Sequence, residues 1–245
     1  MELTSTSFAD GERIPAEYAF CAPDPQSRAR RSNNRNPALE WSELPMGTRS
    51  LVLICHDYDV PTVGDDVNKE GRTIPESLPR LDFFHWVLVD VDPHSGPIRA
   101  GEFSDGVTPR GKSGPQGPRA TRQGINDYTD WFASDAEMKG DYYGYDGPCP
   151  PWNDTIAHHY VFTLYALDVA QLGVSGTFRG LEVLNAMKGH VLEEAKLTGV
   201  VSSSSTPARA GFFVSEAAPA IEAFWSISKA SLAVAALCSK AFHRL

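Results

Sequence analysis

Three apolar runs constrain what this chain can fold into. Residues 50–55 read Ser-Leu-Val-Leu-Ile-Cys, and residues 83–91 read Phe-Phe-His-Trp-Val-Leu-Val-Asp-Val. Residues 158–168 pass from His158 through Tyr160, Phe162 and Tyr165 to Asp168. Each is short, rich in β-branched and aromatic residues, and bounded by polar or turn-forming neighbours, which is the pattern of a buried strand. They lie far apart in the sequence, so any sheet they build closes by long-range pairing. The chain carries 20 glycines and 18 prolines in 245 residues, more than the usual combined share of ~12%, so its connections are expected to be turns and irregular loops. One helical period is visible: Leu181, Leu184, Met187, Val191 and Ala195 recur at helical spacing between Gly180 and Gly199. Strands followed by a helix favour an all-β or α+β chain over alternating α/β.

Residues 1–201 read as one domain. A serine run then opens an alanine-rich tail, 202–245, whose Phe224, Trp225, Leu232, Leu237 and Phe242 predict a second, marginal helix. The polar excursion over 63–81, with Asp65, Asp66, Glu70 and Glu76, is expected to be a surface loop. The Gly/Pro/Ser-rich stretch 95–118, with Arg110 and Lys112, reads as an irregular connection. Arg28, Arg30, Arg31 and Arg35 make either a solvated loop or a patch that steers anions.

A formal net charge of −9 argues against a nucleic-acid partner, which needs a basic face to displace counterions. The N-terminus has neither a basic start nor an apolar core of signal-peptide type. No run reaches the ~18 apolar residues of a membrane-spanning helix. The expectation is a soluble, cytoplasmic protein without an integral membrane segment. The four cysteines, Cys21, Cys55, Cys149 and Cys238, form no C-x-x-C pair. Their low density is expected to mean no disulfide scaffold, which fits a reducing compartment.

Four short elements carry chemical potential. Asp57 and Asp59 follow the first strand and precede Pro61, a stiff turn that either presents carboxylates or holds its own backbone. His85 sits inside an apolar strand, as a satisfied core group or as a ligand. Gly147-Pro148-Cys149-Pro150-Pro151 is rigid in advance, because three prolines fix φ and remove three donors; it is a stiff connection or one wall of a cavity. His158 and Tyr160 share one face of the last strand, and His159 points to the other.

Taken in order, these elements resemble one family. Asn36-Pro-Ala-Leu-Glu-Trp41, Gly47-Thr-Arg-Ser-Leu-Val-Leu53, Asp57-x-Asp59-x-Pro61 and His85-Trp86 resemble the first block of the phosphatidylethanolamine-binding protein family. Gly147-Pro-Cys-Pro-Pro151 with His158-x-Tyr160-x-Phe162 resembles its second block. Residues 186–192 and 195–199 resemble the C-terminal helix of the bacterial-type branch, called YbhB/YbcL or Raf-kinase-inhibitor-like. The resemblance covers roughly residues 8–201.

It implies a mostly β (α+β) fold: a β-sandwich with a large antiparallel sheet, a smaller sheet and peripheral C-terminal helices. It also implies a small pocket for phosphate-type anions or phosphorylated head groups. Carried over by position, that pocket is lined by Asp57, His85, Gly147, Pro148, Cys149, Pro150, His158 and Tyr160. Asp59 braces the turn, and Tyr58 and Trp86 stand beside it. Tyr58 replaces the family's proline, and is expected either to narrow the pocket or to offer it a hydroxyl. The family further implies a possible kinase- or protease-inhibitor role on an unidentified protein target, and pairing as a homodimer.

The residues suggest how such a site would work. Asp57 would orient and charge a histidine, and His85 and His158 would donate to the anion. Affinity would then rise as pH falls through the histidine range near ~6.5. With no activated nucleophile in view, the chain is read as a binding protein, not an enzyme, with no cofactor and no metal. Two alternatives stand beside that reading. One is a metal-assisted phosphoesterase using Asp57, His85 and His158. The other is a protein-interaction module without a small ligand.

Overall fold

The computed structural model describes residues 1–202; the alanine-rich tail and its expected helix lie outside the described residues. The strands are β1 (Glu2–Thr4), β2 (Cys21–Asp24), β3 (Arg28–Arg31), β4 (Glu40–Ser42), β5 (Ser50–Pro61), β6 (Arg80–Val91), β7 (Arg122–Gln123), β8 (His158–Leu167) and β9 (Val191–Val201). Two short helices, α1 (Tyr128–Trp131) and α2 (Gly180–Ala186), complete the regular structure. β5, β6 and β8 are the three apolar runs of the sequence. They form the centre of a five-stranded antiparallel sheet in the order β7-β6-β5-β8-β9. Two-stranded sheets β1–β4 and β2–β3 stand beside it.

β5 is continuously apolar because both of its faces are buried. Leu51, Leu53 and Cys55 enter a core with Trp86, Leu88, Phe162 and Leu164, closed from the other side by Leu3, Phe8, Leu39 and Ile98. Val52 and Ile54 face the opposite way, onto Val183 and Met187 of the α2 region and onto Leu172 and Phe178. Gly180 lets α2 lie directly on the sheet, since a Cβ there would meet the Phe84 ring at 2.3 Å.

The long helix expected over 181–195 is shorter than its periodicity implied. α2 stops at Ala186, and Gly189 reverses the chain with φ 81°. Ala195, Leu197, Gly199 and Val201 then alternate with more exposed neighbours, so the segment pairs with β8 as β9. Alternation at period two over four positions outweighs two helical coincidences at Val191 and Ala195.

Candidate functional site

The strands bring the chemistry to one end of the large sheet. Asp57, near the end of β5, is in register with Tyr160 on β8 and Phe83 on β6. Cys55 pairs with Trp86 while His56 pairs with Phe84, which leaves His85 as the extra residue of a β-bulge. Strict alternation would turn His85 and Trp86 to opposite faces. The bulge instead lets Trp86 fill the core while His85 lines a cavity beside Phe83.

Asp57 and His158 are 1% and 0% exposed, so their charges must be met inside the protein. His158 Nδ1 lies 2.7 Å from Asp57 Oδ2, and its Nε2 lies 3.2 Å from Asp154 Oδ2. Arg80 clamps Asp154 with contacts of 2.5 and 3.1 Å. Two carboxylates, one imidazolium and one guanidinium therefore form a balanced buried row. Burial alone would discharge His158, but Asp57 and Asp154 outweigh it and raise its pKa to about 9. Burial likewise opposes ionisation of Asp154, yet hydrogen bonds from His158 and Arg80 hold its carboxyl below the usual range. Asp57 also accepts the Asp59 amide at 2.8 Å, and Asp59 in turn accepts the His159 amide and ring nitrogen, each at 2.8 Å. Asp59 thus braces the turn.

His85 is held differently. Its Nδ1 is 2.7 Å from the Asp146 carbonyl oxygen, and the Asp146 amide donates back to the His85 carbonyl at 3.0 Å. A carbonyl only accepts, so Nδ1 carries the hydrogen. Burial lowers the His85 pKa against the opposing pull of Asp57. Burial thus favours the neutral ring, in which Nε2 is left as an acceptor. Asp146 is itself a buried node, receiving Asn34 at 2.7 Å, Asn126 at 2.8 Å and Lys112 at 3.0 Å. Burial lowers the Lys112 pKa, and Asp146 partly restores it.

The proline loop forms one wall. Gly147 is needed where the chain passes the Tyr18 carbonyl, because a Cβ there would lie 2.1 Å from that oxygen. Its amide donates to Asn34 Oδ1 at 2.8 Å, and the Pro148 carbonyl accepts the Phe20 and Cys21 amides at 2.9 and 3.2 Å. The cavity, open to solvent on one side, measures about 40 Å³, enough for more than one water-sized group. Its polar walls are Asp57, His85, His158 and Tyr160, and Phe83, Tyr128 and Trp131 supply aromatic surface. Burial, and the charge and hydrogen bond of Asp57 beside it, push the Tyr160 hydroxyl well above the usual tyrosine pKa, so its one O–H stays on and is turned to Asp57.

Of the residues singled out in the sequence, Asp57, His85, Cys149, Pro150, His158 and Tyr160 line this one cavity. Gly147 and Pro148 sit behind it and fix the loop. Trp86 is a core residue, donating to Gln123 Oε1 at 3.1 Å. Tyr58 does not narrow the cavity: it is 43% exposed and stacks on His159, with centroids 5.4 Å apart. The two histidines do not act as a pair of donors, because both ring nitrogens of His158 already face carboxylates. Among the described residues no group of three or more His, Cys, Asp or Glu is arranged to hold a metal ion.

The cysteine expectation is also corrected. Cys21 and Cys149 form a disulfide, with Cα atoms 5.0 Å apart, inside the usual span for such a bridge. Their separation of 128 residues leaves no local sequence signal. Nor does the sequence reveal Asn34, Asn126 and Asp146, whose role depends on tertiary convergence alone. The 63–81 excursion is more than a solvated loop, since its Val67 is buried and lines the cavity. Arg28 is not a free cation but pairs with Glu70 at 3.1 Å and lies over Trp152.

A family model described as phosphatidylethanolamine-binding protein matches residues 4–202. A UPF0098 protein of Methanothermobacter thermautotrophicus is 32% identical over 200 residues, covering 82% of this chain and 97% of that one. The UPF0098 protein YbhB of Escherichia coli is 28% identical over 202 residues, covering 82% and 100%. A solved structure of a phosphatidylethanolamine-binding protein homologue from Chlamydia trachomatis aligns with a TM-score of 0.53 at 27% identity, covering 82% of this chain and 96% of that one.

Proposed function

The chain belongs to the phosphatidylethanolamine-binding protein family, and on that premise we propose that it binds a small ligand, a phosphorylated head group taken up with a proton. Ligand binding with a possible regulatory role is what the family supports; the head group and its protonation are the specific part of the reading. The observation that carries it is His85. Its Nδ1 is committed to a backbone carbonyl, its Nε2 is an acceptor, and Asp57 lies beside it in the same cavity.

A phosphate dianion offers only acceptors to such walls. A phosphate monoanion has an O–H that can donate to Nε2. The row of Asp57, His158, Asp154 and Arg80 is already neutral as a set, so it adds no net repulsion. The ligand and His85 therefore share one proton, whichever of them holds it. Affinity falls as pH rises through the phosphomonoester's second ionisation near ~6, while His158 keeps its charge throughout that range. The rigid loop and buried walls lower the entropy lost on binding.

Disulfides persist in oxidising compartments, so the Cys21–Cys149 bridge favours such a compartment over the cytoplasm expected from the sequence. Among the described residues no helix is long and apolar enough to cross a membrane.

The test is isothermal calorimetry with O-phosphorylethanolamine at about pH 5.5 and about pH 7.5, on either side of that ionisation. Saturable binding with one site, tighter at the lower pH, is expected. No heat at either pH refutes the head-group reading.

A further inference from the structure

Resting on the head-group reading, we propose that residues 62–79 form a cap that limits the cavity to phosphomonoesters the size of a head group. Val67 is the wall that sets the size, and Asn153 is the residue that positions the cap. The excursion is mostly polar, with Val63 exposed and two apolar side chains turned inward. Val67 and Ile74, each 1% exposed, are its two buried apolar side chains, and Val67 lines the cavity together with Cys149, Pro150 and Pro151 of the proline loop.

A polar loop of this length is held only where its backbone groups find partners. Asn153 supplies them from beneath. Its Nδ2 faces the carbonyls of Asp66 at 2.8 Å, Arg72 at 3.1 Å and Lys69 at 3.4 Å. Its Oδ1 accepts the Asn68 amide at 2.9 Å, and its own carbonyl accepts the Ile74 amide at 3.0 Å. Asn68 Oδ1 returns the contact by accepting the Trp152 amide at 2.9 Å.

The cap is thus seated on residues 152–155, the turn that joins the proline loop to His158. The exposed Arg28–Glu70 pair adds an outer contact, of the kind that contributes little by itself. With Val67 seated, the cavity is about 40 Å³ with a mouth open to solvent, and under this proposal a ligand carrying a glycerol ester beyond its phosphate meets Val67 and the cap at that mouth. Pocket walls that meet or miss one extra carbon group discriminate by ~10–200-fold.

The experiment compares the full chain with V67A, V67I and N153A by calorimetry. The probes are O-phosphorylethanolamine, sn-glycero-3-phosphoethanolamine and vesicles containing phosphatidylethanolamine. They offer the same head group as a free monoester, as a soluble diester and on a bilayer. The wild type is expected to prefer the monoester by about tenfold or more and to leave the vesicles unbound. V67A and N153A are expected to reduce that ratio to below about threefold, whereas V67I keeps it.

A wild-type ratio near one, or vesicle binding by the wild type, overturns the cap. So does an unchanged ratio in V67A and N153A with only a lower Tm, because a purely structural role weakens both soluble probes together. If the wild type binds none of the three, the head-group reading itself falls and this inference falls with it.

Discussion

His158 should be a cation across the whole physiological range. Its buried ring lies between two carboxylates, and the pair moves its pKa from 6.5 to about 9. At about 1.4 kcal/mol per pH unit, that displacement corresponds to about 3 kcal/mol of stability. The sign follows from linkage. The folded state binds the proton more tightly than the unfolded state, so the contribution is complete below about pH 6.5 and is lost as pH rises towards 9. NMR titration of the imidazole resonances measures the pKa directly, and urea unfolding across about pH 6 to 10 measures the stability. The resonance should titrate near 9, and the unfolding free energy should decline from about pH 6.5 to about 9 and level off above it. The comparison is with D57N, in which one of the two charges is gone and the titration should move down towards 6.5. A midpoint near 6.5 in the wild type, or no movement in D57N, would show that Asp57 and Asp154 do not hold the charge.

Three further outcomes are expected. D57N should weaken binding of O-phosphorylethanolamine by tenfold or more, about 1.4 kcal/mol, and calorimetry reads this; unchanged affinity would remove Asp57 from the binding wall. D146A strips Lys112 of its counter-charge and His85 of its support, and should lower unfolding free energy by ~3–5 kcal/mol, the usual penalty for orphaning a buried ion. Peptide mapping without reductant should recover Cys21 and Cys149 in one linked fragment, and C21S/C149S should lose ~2–4 kcal/mol in denaturant unfolding.

The parts of the fold legible in the sequence are those set by local pattern. The three apolar runs are β5, β6 and β8, because a strand buried on both faces needs little beyond continuous apolar residues. His158 and Tyr160 could be put on one face by alternation, and the structure has them there; Asp57 is joined to them in the sequence only through the family resemblance. Where a local rule was broken by a backbone irregularity, the reading stopped short. The bulge at His85 cannot be seen in Phe-Phe-His-Trp, so that residue's dual reading could not be resolved. Gly189 ended a helix whose period seemed to continue, and β9 took the remainder. What stayed hidden altogether was convergence: the Cys21–Cys149 bridge, the Asp146 node, and the seating of residues 66–74 on Asn153 that brings Val67 to the cavity. Each joins residues that share no neighbourhood in the sequence.

That convergence governs how the site comes into being. Asp57 and His158 are 101 residues apart, Asn34 and Asp146 are 112 apart, and the bridged cysteines are 128 apart. Folding that depends on contacts of such long range is slow, because loop closure must precede the contacts that reward it. During synthesis Asp57 and His85 emerge well before His158, and no partial chain lacking β8 can close the cavity. A ligand that recognises the finished walls binds only the completed fold, and by mass action draws the folding equilibrium towards it. Ligand binding is thereby also a measure of how much of the protein population has matured.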